Sequence, residues 1–226
     1  GGGVSNGAFT LAAGTTLTFD GAHGLGNSSL TGTATAAINV NGGSLASAGT
    51  WSGSSALHFN GGTSTLTGVV TGAVSVGVAG GTVNFNTTSA ITSGSLNLSS
   101  GVLAGTSDIT VAGASTWSGG TMSGSGRTII AAGGTLAMTG TVTNMDLARI
   151  LENRGTATWS NNASAWRWYG GTFLNTATGT FVANLATTLD AYANAGANLF
   201  QNDGTFTKLG AGLAQLRANV TSILFN

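Results

Sequence analysis

Six acidic side chains, Asp20, Asp108, Asp146, Glu152, Asp190 and Asp203, and two histidines, His23 and His58, are the groups of this chain that could move a proton or hold a metal ion. Six basic residues balance the six acids. Polysaccharide cleavage needs clustered carboxylates, with Arg, Lys or His beside them, for proton transfer at a sugar ring. No two of the acids adjoin in the sequence, so only the fold could assemble such a cluster. Asp108, Arg127 and Asp146 follow one another at intervals of 19 residues, with Arg149, Arg167 and Asp190 in roughly the same sector. In a chain that winds once in that interval, the first three would stack as acid, base and acid on one side. A structural charge ladder is the favoured reading, because opposite charges in adjacent layers attract. A sugar-binding or catalytic groove is the alternative. The two histidines fall at different phases with no third ligand at hand, and there is no Cys. Neither a metal site nor a cofactor is expected.

The stretch WRWYGG, from Trp166 to Gly171, concentrates further chemistry. In a strand, Trp166 and Trp168 share one face while Arg167 and Tyr169 share the other. The four residues are a candidate contact patch for a sugar or a protein, although tryptophans filling a wider core coil is the favoured reading. Thr-x-Thr pairs begin at Thr16, Thr33, Thr65, Thr141 and Thr156. An ice-binding surface would need them at one position in successive turns, and their spacing does not provide it.

The elements that must position these groups recur along the chain. Aligning on a large apolar residue followed by a small polar residue and Gly gives the anchors Phe19, Val40, Phe59, Val78, Leu98, Trp117, Met138, Trp159, Phe181 and Phe206, spaced by 19 to 25 residues. Two positions earlier runs a second apolar column, Leu17, Ile38, Leu57, Val76, Leu96 and Leu136, interrupted by Ser115 and Ala157. Apolar residues two apart lie on one face of a strand. Helical periodicity is confined to about one turn near MDLARILEN, and with 39 Gly and no Pro the chain is poor in helix formers. The pattern predicts an all-β, right-handed parallel β-helix, a β-solenoid of about ten coils of 19–25 residues. It forms one unit over 1–226, with regular coils over 1–143 and longer loop excursions over 144–226. A leucine-rich repeat lacks its motif here, a hexapeptide helix would keep stricter phase, and an outer-membrane barrel would want aromatic girdles where only two Tyr exist.

Net charge is zero and charged residues make up 5% of the chain. Without a basic cluster, nucleic acid and anionic membrane surfaces are excluded as expected partners. No apolar run reaches the roughly 18 residues of a membrane helix, so no membrane insertion of this segment is expected. Starting at Gly1, the chain reads as a mature or excised segment of a larger exported protein.

The Gly, Thr, Ser and Asn-rich coils with TWSGG punctuation resemble passenger and stalk regions of bacterial surface adhesins of the autotransporter and filamentous-haemagglutinin type. FTKLGAGLAQL, Phe206 to Leu216, is similar to the autotransporter-associated strand repeat, with Phe at its first position and Gln215 as an extra polar residue. The resemblance implies a parallel β-helix at the bacterial cell surface and carries over no catalytic residues. The expected function is therefore structural and adhesive, in an extracellular fibre or filament, without enzymatic activity. The expected partners are the chain itself, stacked head to tail, or flanking domains of a longer polypeptide, and surface glycans. A polysaccharide-binding or polysaccharide-cleaving β-helix, and then an ice-binding solenoid, are the alternatives.

Overall fold

The computed structural model describes residues 3–72, 74–140, 144–160, 165–187, 189–219 and 221–226, and among these there are strands and turns but no helix. Each coil contributes up to three short strands, and every strand pairs in parallel with its counterpart one coil away, as Ile38 with Leu57 and Leu57 with Val76. The chain is thus a β-solenoid of about ten turns. Its first face is an eleven-stranded sheet running from Gly3–Ser5 to Ala214–Ala218. The second face begins as a separate four-stranded sheet that ends at Val69–Val70. The third face runs from Thr16–Phe19 to Thr205–Leu209. From the fifth coil on, the long strand Ile91–Leu98 turns the corner between second and third faces and joins them.

Small residues permit this winding. Gly43, Gly62 and Gly81 stack at one corner with φ of 69°, 69° and 64°. A Cβ on Gly62 would lie 2.0 Å from the carbonyl oxygen of Gly43, so no larger residue fits between successive coils. Beside this corner, Asn60 donates to Asn41 and Asn41 to Asp20, both at 2.9 Å, which ties the first three coils together.

Inside, the third-face strands send two columns inward. Phe19, Val40, Phe59, Val78, Leu98, Trp117, Met138 and Trp159 pair in register as one column. The expected alignment of Phe181 and Phe206 with it is corrected by the structure, because Trp159 pairs with Ala183, while Phe181 pairs with Ala157 and Phe206 with Phe181. Both phenylalanines belong to the neighbouring column. Volume explains the exchange: Trp117 sits beside Ser115, Trp159 beside Ala157, and Ala183 beside Phe181, so in each of these three coils one large and one small residue fill a core of limited width.

Later coils are longer. Gly120 pairs with Met145 and Trp166 with Ala191 on the first face, each step spanning 25 residues, against the 19 from Thr63 to Thr82. The step from the fourth coil to the fifth is irregular in two ways. The four-stranded sheet stops there, and the third-face pairing slips by one residue, with Val74 opposite Ser93 but Ser75 opposite Ser95.

Candidate functional site

The densest charge cluster lies where the first face turns into the second. Asp108 precedes the strand Ile109–Val111, and Arg127 opens the strand Arg127–Ile130 one coil later. The backbone N–H of Arg127 donates to Asp108 Oδ1 at 2.8 Å, and its Nε and Nη2 donate to Oδ2 at 3.0 and 2.7 Å. On its other side, Arg127 Nη1 donates to Glu152 Oε2 at 2.9 Å, and Arg154 Nε holds Glu152 Oε1 at 2.6 Å. Burial pushes the Asp108 carboxyl up, but the side-chain, backbone and charge interactions with Arg127 bring it below its ordinary value. The bond to Asp108 raises Arg127 further.

Asp146 does not complete this stack. The coil between Arg127 and the next layer is expanded, so the residue above Arg127 is Ile150, and Glu152, two positions on, supplies the second carboxylate. Asp146 lies on the first face, in register with Arg167. There Arg167 Nε and Nη2 grip it at 2.6 and 2.7 Å. The bond to Asp146 raises the Arg167 pKa. The side chain of Asp190 lies outside the described residues.

Arg149 is the buried member of the cluster, 3% exposed. It reaches back along the axis, donating from Nε to the Gly126 carbonyl at 2.7 Å and from Nη2 to the Ser107 carbonyl at 3.1 Å. Three successive coils are bridged by one side chain. Burial pushes its pKa down to about 10, with the Asp108 charge pulling the other way, so it remains protonated at neutral pH. Sequence reasoning placed Arg149 only in a sector; its axial reach follows from Gly126, where any Cβ would sit 2.8 Å from Arg149 Nη2.

The WRWY stretch divides between inside and outside. Trp166 and Trp168 are fully buried, with ring centroids 4.8 Å apart, and Trp166 also meets Trp159 at 5.5 Å and Phe173 at 5.6 Å. Arg167 and Tyr169 point outward, the guanidinium carbon 5.6 Å from the Tyr169 ring centre. The four residues therefore do not form one contact surface, because strand alternation commits both indoles to the core. His23 packs edge-on to Phe19 at 5.2 Å. Among the described residues, no group of three His, Cys, Asp or Glu is placed to hold a metal ion.

Two arrays escaped the sequence reading. Asn153, Asn175 and Asn202 form an inward ladder, with Asn153 donating to Asn175 at 2.8 Å and Asn175 to Asn202 at 2.6 Å. Their unequal spacing of 22 and 27 residues concealed them. On the outer side of the third face, Thr135, Thr156, Thr180 and Thr205 pair in register, beside a second column of Ala137, Thr158, Val182 and Thr207. The Thr-x-Thr units at Thr156 and Thr205 share this position but lie two coils apart, with Thr180 and Val182 between them, and the unit at Thr16 faces Ala37 and Asn39 in the next coil, so such units do not recur in successive turns; the two outward columns of this face contain no Asp, Glu, Lys or Arg. The pairs beginning at Thr33 and Thr65 lie away from this face, and Thr141 lies outside the described residues. At the far end, Phe200, Asn202, Phe206, Leu216 and Phe225 line a recess of about 330 Å³, with Phe206 45% and Phe225 57% exposed. Compared with protein-family models, with curated proteins and with solved structures, the chain matches none.

Proposed function

We propose that this solenoid is a structural and adhesive segment of a bacterial extracellular surface protein, serving as a scaffold in a fibre or filament. The observation that carries the reading is the use made of its charges. Asp108 with Arg127, Arg127 with Glu152, and Asp146 with Arg167 all join different coils, so scarce ionic groups are committed to axial cohesion. In the Asp108 and Glu152 pair every carboxylate oxygen is engaged by a guanidinium or a backbone N–H. The apolar recess lined by Phe200, Phe206, Leu216 and Phe225 supports axial stacking with a second copy.

The test is an antibody against the folded chain applied to cells that make the protein. Label on intact cells is expected; label only after permeabilisation would overturn the extracellular placement. Release of reducing ends from neutral or acidic polysaccharides by the purified chain would move the assignment to an enzyme.

The threonine array favours a second reading, adsorption to ice. Rungs about 4.8 Å apart, with columns about 6.7 Å apart, present hydroxyls and methyls on an uncharged regular lattice. Thermal hysteresis that disappears in a Thr158→Lys, Thr180→Lys double variant would establish it, and its absence in the wild type would remove it.

A further inference from the structure

The outward residues of the first face change character halfway along the molecule. Thr63, Thr82, Val102 and Thr121 stand in register on successive coils, and the same column continues as Asp146, Arg167, Tyr192 and Arg217. Beside it stands Tyr169, two positions after Arg167 on the strand Trp166–Tyr169. Tyr192 lies between buried Ala191 and Ala193, so both tyrosines of the chain face outward, in adjacent coils. The groups of this patch are held in place. Asp146 grips the Arg167 guanidinium at 2.6 and 2.7 Å, the Tyr169 ring centre lies 5.6 Å from the guanidinium carbon, and Gln215 Oε1 accepts from Arg217 Nε at 2.7 Å. Behind the strand, the buried indoles of Trp166 and Trp168 anchor it in the core. A bulge opens the site: Trp168 pairs with Ala193 but Tyr169 with Ala195, so Asn194 is the extra residue and a small alanine stands opposite Tyr169. Bulges re-aim side chains in this way, and Tyr169 is left 39% exposed.

Aromatic rings beside a fixed cation, with planar hydrogen-bonding groups around them, match the chemistry of a sugar. A pyranose stacks its C–H face on a ring, while the hydroxyls at its rim exchange hydrogen bonds with guanidinium, carboxylate and carboxamide groups. Charge decides the kind of sugar. Asp146 and Asp190, the latter opposite Gln215 in register, balance Arg167 and Arg217, so the patch complements neither a polyanion nor a polycation. We propose that Arg167, Tyr169, Tyr192 and Arg217 bind a neutral polysaccharide laid along the axis. Successive sugars then meet successive coils, whose separation of about 4.8 Å is close to the length of one pyranose unit. A protein partner would ask for a dry apolar centre, which a surface of phenols and ionic groups does not offer. The inference rests on the adhesive part of the proposed function and gives it a ligand. Cell-surface placement is read by antibody labelling and stands or falls separately.

Retention of the purified full chain on immobilised hexasaccharides tests the site, with neutral glucans, mannans and galactans in one set and oligogalacturonates in another. Binding to at least one neutral glycan is expected, weakened at least tenfold by Tyr169→Ala and by Tyr192→Ala, and at least threefold by Arg217→Ala. Tyr169→Phe, which keeps the ring, should stay within twofold of the wild type. Asn39→Ala, on the third face, should bind as the wild type does. Melting temperatures show which variants are folded, and should Tyr192→Ala fail to fold, Tyr169→Ala and Arg217→Ala, both at exposed positions, carry the test. No retention on any neutral glycan would overturn the proposal, as would wild-type binding by a folded Tyr169→Ala. Retention on oligogalacturonates alone would overturn it too, because the ligand would then be an anionic glycan.

Discussion

Asp108 and Arg127 show how a single residue's worth depends on its neighbours. Because the folded carboxyl titrates below its ordinary value of 3.8, the unfolded chain takes up the proton first. The contribution of Asp108 is complete above about pH 5 and is lost as pH falls through the lowered folded value. Melting temperature followed from pH 6 to pH 2 should fall in the wild type, and Asp108→Asn should start about 1 kcal/mol less stable and lose less on acidification. Reversing the partner is harsher: Arg127→Glu places a third carboxylate between Asp108 and Glu152. A loss of about 1–2 kcal/mol is expected in denaturant titrations, shrinking with added salt because Arg127 is 41% exposed. The Asp108 and Arg127 pairing was legible in the sequence because one coil there equals their spacing of 19. Glu152 was not, since the next coil is expanded.

At the scale of the strand, the two inward columns are the element that the rest must accommodate. Val78 is fully buried between Phe59 and Leu98, so Val78→Asp buries an unpaired charge and should cost several kcal/mol, read as loss of the folded transition near room temperature. The asparagine ladder makes a different demand. Asn175→Ala removes the acceptor of Asn153 and the donor to Asn202 within a buried column. About 2 kcal/mol of destabilisation is expected in denaturant titrations, since polar groups of its neighbours lose their partners. Alternation of apolar residues exposed the columns in the sequence, but not which of two columns a large residue occupies. Ala157 and Ala183 decide that, by leaving room beside Trp159 and Phe181.

Along the whole molecule, the ends of the stack differ from its middle. Leu224 is 66% exposed and Phe225 57%, whereas Phe85, Trp117 and Phe173 are fully buried. Exposed apolar patches of this kind mark contact surfaces in proteins generally. If axial stacking of copies covers it, sedimentation velocity should show mass rising with concentration, and a Phe206→Lys, Phe225→Lys double variant should sediment as a monomer at every concentration. A wild type that stays monomeric would reject stacking between copies.

The sequence by itself determined the class of fold, because inward apolar pairs bounded by Gly at intervals of about 20 residues can bury their side chains only when coils stack on one another. It also determined that Trp166 and Trp168 share a face, since strand alternation is a local property. Tertiary structure alone decided which charges meet. Coil length changes by up to several residues between layers, and each added residue shifts everything after it around the perimeter. Asp146 therefore moved to the first face and found Arg167, Glu152 took its place beside Arg127, and Thr156, Thr180 and Thr205 came into line though their spacing in the chain is unequal. Contacts between layers depend on the summed length of every corner between them, and that sum is set by how each corner packs.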